Sequence, residues 1–337
     1  MNTTSGLERY RSRASQLLWM GVFIAGILGT VFLLYYATRQ IDYIWRWYKI
    51  PRYFINNELV ELKSEVQGVV KTISKKGDTI DIRVEGADGQ TSYPAPEDAK
   101  VRISENDNVF PGDVLASFER WQAGILLEGL WITLKVSLYS IFFGIIIGLI
   151  GGLARLSSNP ALRWSAVTYV ELIRGSPLLV QIFIWYFVLA TVINELFKRY
   201  GMNEIPAMWF GVASLSFFAG AYITEMVRAG IQSIHRGQIE ASRSLGMSYA
   251  QSMYHVILPQ ALRRILPPLA GEFINLIKDS SLLGLIAIRE LTKATREGIT
   301  TSLQPYEFWF TCALLYLALT FTLSMLVKYL ERRTATP

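Results

Sequence analysis

The chain contains 337 residues, of which 51% are hydrophobic and 18% charged, with a net charge of +6. Soluble domains carry about 25% charged residues, so the composition excludes a purely soluble protein and favours a membrane protein with one sizeable aqueous part. The single cysteine, Cys312, excludes a disulfide framework and a cysteine-based zinc site. Two histidines, His235 and His255, leave little room for histidine-based metal chemistry.

Five stretches contain no ionisable residue, and each is about 20 residues long, the length that a helix needs to cross a bilayer core. They are residues 17–37, 136–154, 175–194, 205–224 and 308–327. A sixth stretch, residues 265–288, is similar in length and apolar character but contains Glu272, Lys278 and Asp279. We therefore predict an all-α polytopic membrane protein with six transmembrane helices.

The first stretch has a competing interpretation as a signal peptide. Arg9, Arg11 and Arg13 precede it, as basic residues precede the apolar segment of a signal peptide. Its apolar run is longer than the roughly 7–15 residues of such a segment, and residues 37–39 offer no small-residue cleavage pattern. We expect a retained N-terminal anchor helix, and we place a first domain at residues 1–38.

The basic residues predict the orientation, because the cytoplasmic loops of membrane proteins are enriched in lysine and arginine. The arginines before the first span place the N-terminus in the cytoplasm, and six spans return the C-terminus there, next to Lys328. The other predicted cytoplasmic loops carry Arg155, Arg163, Arg228, Arg236, Arg243, Arg263 and Arg264. The topology therefore explains the basic net charge, and we expect no nucleic-acid partner.

The polar segment between the first two spans, residues 39–121, is predicted to be a small extracytoplasmic β-rich insert. Residues 68–73 and 79–84 alternate in side-chain character, as β-strands do. Turn signals occur at Gly77-Asp78, Gly86 and Asp88-Gly89. Residues 102–116 resemble the turn-and-strand signature of barrel-sandwich domains of the biotinyl and lipoyl type, without their lysine-bearing hairpin. The insert is thus either a structural domain or a docking surface for a partner.

The long cytoplasmic segment after the fourth span has the local signals of two short helices. Ala241 and Leu245 are four residues apart and form a small apolar stripe on one helix face. Gly246 can take the left-handed conformation that ends a helix, and Ser248 can cap a second helix. Pro259 stands where a further helix, leading into the membrane, would begin. The pattern predicts a helix–turn–helix knob.

This knob resembles the EAA loop of ABC-importer permeases. The family pattern is Glu-Ala-Ala, three residues, Gly, nine residues, Ile, one residue and Leu-Pro. The matching residues at the family spacing are Glu240, Ala241, Gly246, Leu258 and Pro259. Ser242 replaces the second alanine and Val256 replaces the isoleucine, both of which are mild changes in size.

Two further stretches, residues 169–181 and 271–282, are similar to spans of the polar amino-acid permeases within that family. The resemblance covers about residues 124–330, which implies a five-helix permease core of the type I importer kind. We place this third domain at residues 122–330. The resemblance leaves out the anchor helix and the insert, and it implies no purpose for either.

The resemblance implies an importer in the bacterial cytoplasmic membrane that is assembled from several proteins. Two permease subunits, identical or homologous, form the pore, two ATPase subunits bind beneath them, and an extracytoplasmic solute-binding protein delivers a polar amino acid. The knob inserts into the ATPase subunit and couples the ATP-driven closure of the ATPases to movement of the permeases. A P-loop requires a Gly-Lys pair, and the sequence contains none. We therefore expect a non-catalytic subunit that binds no cofactor, with ATP and magnesium used by the ATPase.

The charged residues of the sixth stretch suggest a substrate pathway, because ionisable residues within a membrane span are costly and often functional. At 100° per residue, Glu272 and Asp279 share one helix face, and Lys278 lies about 100° away from Asp279. Such a pair of faces suits a zwitterion. The expected pathway residues are Glu272, Asn275, Lys278, Asp279, Ser281 and Gln181. The alternative is that the charges pair with other helices and only hold the bundle together.

Two other function classes compete with the permease. A membrane-anchored sensor or scaffold could bind a ligand through the outer β domain, but it would not need six spans and a coupling loop. An intramembrane enzyme would need a nucleophile–base pair or a metal site within the spans, and neither histidine lies in one.

Overall fold

The computed structural model describes residues 13–87 and 89–334 of the chain. The sequence predictions that rest on Arg9, Arg11 and Asp88 lie outside these residues. The described part is mainly helical and contains a β-rich segment after the first helix, in agreement with the predicted fold class.

The first of two units, residues 1–48, contains helix α1, Arg13–Gln40. The part Leu17–Gln40 is long and apolar enough to cross a membrane, which confirms the first predicted span. After this helix, the indole of Trp45 donates a hydrogen bond to the Thr38 hydroxyl at 3.1 Å. The ring of Trp45 also stacks on Trp47 with 5.7 Å between centroids. A small aromatic cluster therefore follows the anchor helix.

The second unit, residues 49–337, begins with the end of a 3₁₀ helix, Trp47–Tyr53, and continues with β-strands. The strands are β1 Ile55–Lys63, β2 Gly68–Lys76, β3 Thr79–Gly86, β4 Gly89–Pro96, β5 Lys100–Val101, β6 Asn108–Val109 and β7 Val114–Ala123. They form two antiparallel sheets, with strand orders β1-β7-β5 and β4-β3-β2-β6. The two strands that the sequence predicts are β2 and β3, each longer than expected.

Both sheets of the insert contribute to one apolar core. Its buried residues are Val70, Ile82, Val84, Tyr93, Ala95, Ala99, Val109, Leu115 and Ala116. The predicted turns between the strands are also present, because Gly77 and Gly89 have positive φ angles of 64° and 118°. Alternation and turn residues thus predicted this part of the chain correctly.

The rest of the second unit is helical. The helices are α2 Ile125–Arg155, α3 Pro160–Arg174, α4 Leu178–Phe183, α5 Ala190–Arg199, α6 Ala207–Gln232, α7 Arg236–Ser244, α8 Tyr249–Ser252, α9 Leu258–Asp279, α10 Leu291–Ser302 and α11 Pro305–Thr334. A π-helical segment, Ile184–Leu189, joins α4 to α5, and another, Met253–Ile257, joins α8 to α9. A 3₁₀ helix, Ser280–Ile286, follows α9.

Five helical stretches of the described residues are long and apolar enough to cross a membrane. They are Leu17–Gln40, Ile125–Arg155, Leu178–Arg199, Ala207–Gln232 and Pro305–Tyr329. Each overlaps one of the charge-free stretches. Helix α2 begins earlier than predicted because it includes Glu128 and Lys135, which interrupt the charge-free run. The sixth predicted span corresponds to α9 and the 3₁₀ helix after it, and its passage through the membrane stays a prediction.

Helices α2 and α6 pack closely through glycines. A Cβ atom on Gly148 would lie 2.4 Å from the side chain of Ile223, and one on Gly152 would lie 2.4 Å from Val227. The contact of Gly152 is four residues further along α6 than the contact of Gly148. The two helices therefore run in the same direction. Near the C-terminal end of α2, Arg155 forms an ion pair with Glu225 of α6.

Helix α9 runs in the opposite direction to α2 and α6. A Cβ atom on Gly230 would lie 2.4 Å from Ile265, at the start of α9. Near the other end of α9, the Ser137 hydroxyl of α2 donates to the Leu276 carbonyl at 3.4 Å. The segment between α6 and α9 therefore lies at the end of the bundle where α2 and α6 finish.

Candidate functional site

The segment between α6 and α9 forms the predicted helix–turn–helix knob. The imidazole Nδ1 of His235 accepts a hydrogen bond from the Gly237 amide at 3.1 Å and caps α7. Gly246 has a φ angle of 79°, which confirms the left-handed residue that the sequence predicts after α7. Ser248 and Gln251 form a capping box at α8, which confirms the predicted serine cap.

Ser242 and Ser252 connect the two helices of the knob. Both side chains are about 3% exposed, and the Ser242 hydroxyl lies 2.8 Å from that of Ser252 and 2.8 Å from the Ile239 carbonyl. A buried hydroxyl requires such a partner, because burial without one is costly. Ser242 stands where the family pattern has alanine, so this chain has a polar link between α7 and α8 in place of a methyl group.

Helix α9 begins at Leu258, which confirms the prediction of a further helix that starts near Pro259. A π-helical segment joins it to α8, so the helical run is continuous. The Leu258 amide donates to the Met253 carbonyl, five residues earlier. A proline cannot donate a hydrogen bond in a helix, and this wider turn lies immediately before Pro259.

The knob exposes apolar side chains to its surroundings. Leu245 is 83% exposed and Tyr254 is 69% exposed. Glu240 and Ala241 are exposed as well, whereas Leu258 is half-buried. Exposed apolar groups that cluster on one projection are typical of a surface that another protein covers.

The knob is fixed to the bundle by the helices on both of its sides. The Arg264 guanidinium of α9 donates to the Ser233 carbonyl at the end of α6 at 2.5 Å. Ile257 and Ala261 of the same helical run are buried within the main helical core. A force on the knob would therefore reach α6 and α9 together.

The charged residues of α9 separate into two environments. Lys278 and Asn275 are exposed, whereas Glu272 is buried and Asp279 half-buried. Lys278 and Ser281 line a cavity of about 290 Å³. The other residues that line this cavity are Thr292, Trp309, Cys312, Ala313 and Tyr316.

Of the predicted pathway residues, the structure thus brings only Lys278 and Ser281 to that cavity. Gln181 lies elsewhere, in α4, and its side chain reaches back to the turn between α3 and α4. Its amide nitrogen donates to the Ile173 carbonyl at 2.7 Å and to the Ser176 hydroxyl at 2.9 Å. Its amide oxygen is buried without a partner among the described residues. Gln181 therefore stabilises a turn in the described structure.

Glu290, which is not among the predicted site residues, is fully buried beside the same cavity. Its carboxylate accepts hydrogen bonds from the backbone amides of Thr292 and Lys293, both at 2.7 Å, and from the Tyr316 hydroxyl at 2.9 Å. Burial raises the pKa of Glu290 above its ordinary value, and these hydrogen bonds act in the opposite direction. Glu290 thus caps α10 and ties it to α11. No local pattern in the sequence indicates this contact.

The chain matches known proteins over its helical part. The sequence profile described as binding-protein-dependent transport system inner membrane component matches residues 140–336. The glutamine transport system permease protein GlnP of Escherichia coli (strain K12) is 38% identical over 209 residues, which are 62% of this chain and 92% of that protein. The L-cystine transport system permease protein TcyB of Bacillus subtilis (strain 168) is 38% identical over 210 residues, 62% of this chain and 86% of that protein.

Solved structures give the same assignment. The crystal structure of an amino acid ABC transporter with histidines matches with a TM-score of 0.55 and 37% identity, over 62% of this chain and 94% of that chain. An inward-facing structure of the MetNI methionine ABC transporter matches with a TM-score of 0.54 at 23% identity, over 63% of this chain and 97% of that chain, which shows a shared fold. This chain belongs to the family of binding-protein-dependent transport system inner membrane components.

Proposed function

We propose that the chain is the permease subunit of an ABC importer that moves a polar amino acid across the bacterial inner membrane. The observation that carries the proposal is the knob, an exposed projection that two antiparallel helices of the bundle hold at its base. The relatives named for glutamine and L-cystine transport support an amino-acid substrate.

In this proposal the chain does no chemistry of its own. A separate ATPase subunit binds the knob and uses ATP and magnesium, a second permease subunit completes the pore, and an extracytoplasmic binding protein delivers the solute. The coupling residues are Glu240, Ala241, Gly246, Leu258 and Pro259. A membrane-anchored sensor is not favoured, because nothing in a sensor would require a projection fixed between two membrane helices.

The proposed orientation places the knob and both termini in the cytoplasm. The parallel course of α2 and α6 and the opposite course of α9 support it, because they fit helices that cross the membrane in alternating directions. Arg155, Arg228 and Arg264 then lie on the cytoplasmic side, as the positive-inside rule expects. The insert and α10 lie on the outer side.

Lys278 and Ser281 are the proposed substrate contacts that the cavity supports best. The ammonium of Lys278 could bind the carboxylate of an amino acid, and the hydroxyls of Ser281, Thr292 and Tyr316 line the same space. A volume of about 290 Å³ is large enough for one amino acid. Glu272 and Asp279 would act on the ammonium group only if the helix turns during transport.

Two variants of the reconstituted importer test this substrate site. Lys278→Met should weaken substrate-driven transport about tenfold or more, because it removes the charged hydrogen bond to the substrate carboxylate. Asp279→Asn should weaken transport as well if α9 turns during transport, since Asp279 does not line the cavity in this structure. Basal ATPase activity and thermal stability of the complex should not change. If both variants fail to assemble, the charges hold the bundle together and the proposed site is wrong.

The coupling role has its own test. An ATPase subunit should co-purify with the wild-type chain in mild detergent. Glu240→Lys reverses one exposed charge on α7 and should abolish this co-purification while the chain still inserts into the membrane. The exposed Lys75→Glu, on the insert, is the matched charge-reversal control and should retain the ATPase. Transport by Glu240→Lys at the wild-type rate would disprove coupling through the knob.

A further inference from the structure

The β-rich insert is fixed to the helical core at its base. The Gly124 amide donates to the Phe54 carbonyl at 2.7 Å, and a Cβ atom at Gly124 would lie only 2.2 Å from the Tyr53 carbonyl oxygen. The Tyr53 ring packs edge-on against Phe308 of α11, with 4.7 Å between centroids. The buried side chain of Ile50 belongs to the same apolar cluster. The base of the insert therefore has little freedom to move relative to α2 and α11.

A cleft of about 780 Å³ lies where strands β1 and β7 meet α2 and α10. Arg289 closes one wall, because its guanidinium lies 2.5 Å from Glu297 and 3.6 Å from Glu128. On the opposite wall, Arg52 donates to the Tyr53 hydroxyl at 2.7 Å. Arg52 forms no ion pair with a carboxylate of the described residues.

The carboxylate of Glu58 also lines the cleft and forms no ion pair with a described residue. Glu58 lies on β1, in the part of the β1–β7 ladder where both strands are exposed. Glu119, on the neighbouring strand, is exposed as well and accepts a hydrogen bond from Asn57 at 2.6 Å. In the β1–β7 ladder Glu58 stands opposite Arg120 and Leu59 stands opposite Glu119, so Glu58 and Glu119 lie on opposite faces of the two strands. Of these two carboxylates, Glu58 is the one that lines the cleft.

The strands of the insert carry a charge opposite in sign to that of the whole chain, although the insert as a whole, residues 39–121, is nearly balanced, with fourteen acidic and twelve basic residues. Residues 55–123 contain thirteen acidic and eight basic residues, whereas the chain as a whole has a net charge of +6. This acidic region projects from the end of the bundle that the proposed orientation places outside. An acidic surface attracts a basic partner and accelerates its approach.

The insert is also an addition to the permease fold. The match to the glutamine permease extends over 209 residues and covers 92% of that protein's length. The family profile begins only at residue 140 of this chain. The relative therefore has no room for a domain of this size.

We infer that the cleft, with Glu58 on its wall, and the acidic strands of the insert dock the extracytoplasmic binding protein, through a basic surface of that protein. This inference rests on the proposed function, because an importer of this family receives its solute from such a protein at the outer end of its helices. The insert stands at that end and is fixed to it, so a binding protein seated there meets the insert.

The experiment uses the complete importer in proteoliposomes and its cognate solute-binding protein. ATPase stimulation is measured against the concentration of that binding protein. Glu58→Gln should raise the half-maximal concentration about threefold, in line with the strength of one exposed ion pair. The variant should also reduce the salt dependence, since salt screens such attraction. Maximal stimulation and basal ATPase activity should stay at the wild-type values.

The matched control removes a charge pair that does not line the cleft. Lys75 and Glu97 form an ion pair at the hairpin of β2 and β3, so Lys75→Gln with Glu97→Gln removes two charges without changing the net charge. This control should leave the half-maximal concentration unchanged. An equal rise in the control, or no rise in the cleft variant, would overturn the inference.

Excision of the insert gives a second, independent measurement. Ile55 and Ala123 are paired across β1 and β7, so a short Asn-Gly turn can replace residues 56–122. The excised importer should keep its basal ATPase activity and need at least tenfold more binding protein for half-maximal stimulation. An unchanged or lower requirement would overturn the inference. Failure of the binding protein to stimulate the wild-type importer would instead overturn the proposed function.

Discussion

The knob and the insert lie at opposite ends of the helical bundle and differ in the kind of surface that they expose. The knob presents apolar side chains, with Leu245 at 83% exposure, whereas the insert presents an excess of carboxylates. Salt does not screen apolar contacts, which suit a partner that stays bound, whereas salt does screen charged contacts, which speed association and suit a partner that dissociates readily. We therefore expect an ATPase that stays bound at the knob and a binding protein that associates only transiently at the insert.

The largest expected effect comes from a glycine-to-valine substitution at a left-handed position of the knob, and the same substitution in the insert is its control. Gly246→Val forces a branched side chain to a φ angle of 79°, at a cost of about 1–3 kcal/mol. We expect the turn of the knob to change shape and transport to fall at least tenfold, with normal membrane insertion. Transport assays in proteoliposomes at saturating binding protein measure this loss.

Gly77→Val is the matched control, because Gly77 has a φ angle of 64° in the hairpin of the insert. Space is open around both glycines, so steric contact does not distinguish them. We expect the control to keep at least half of the wild-type transport. Equal losses in the two variants would mean that strain anywhere in the chain impairs transport, and the knob would have no special role.

A smaller effect is expected from the apolar tip of the knob. Leu245→Ser removes an exposed side chain whose burial by a partner is worth roughly 1.5–3 kcal/mol. The affinity for the ATPase subunit should fall about tenfold, and the fall should be the same at low and high salt. Titration of the ATPase into the solubilised chain checks both points. A fall that disappears at high salt would contradict an apolar contact.

The smallest effect is expected from the buried pair of serines. Ser242→Ala leaves the Ser252 hydroxyl buried without its partner and should destabilise the knob by about 1 kcal/mol. The double variant Ser242→Ala with Ser252→Ala removes both hydroxyls and should recover most of that loss. Thermal unfolding of the complex and the number of ATP molecules used per solute give the two readouts. Additive losses would exclude the proposed link.

The knob could be predicted residue by residue because its signals are local. A left-handed glycine and a serine cap act on neighbours within a few residues, so Gly246 and Ser248 indicate their own roles. The cleft could not be predicted in this way. Glu58 and Arg289 line the same cleft although more than two hundred positions separate them in the sequence, and no periodicity in the sequence indicates that they lie near each other.

The helices show the same limit for a different reason. Charge-free stretches indicate the membrane spans but not α3 and α10, because each of these two helices carries charged residues on one face. The sequence does not indicate the role of Glu290, because glutamate is an unusual cap and its partner Tyr316 lies on another helix. Nor does the sequence indicate that the amide of Gln181, a predicted pathway residue, closes a turn.

Site-directed cross-linking tests the difference between the two ends most directly. Cys312 is the single native cysteine, so a Cys312→Ala background accepts a photoreactive probe at Leu245→Cys or at Glu58→Cys in the assembled importer. The probe at residue 245 should yield an adduct with the ATPase, and the probe at residue 58 an adduct with the binding protein. An importer that is active but gives no ATPase adduct from residue 245 would contradict the account.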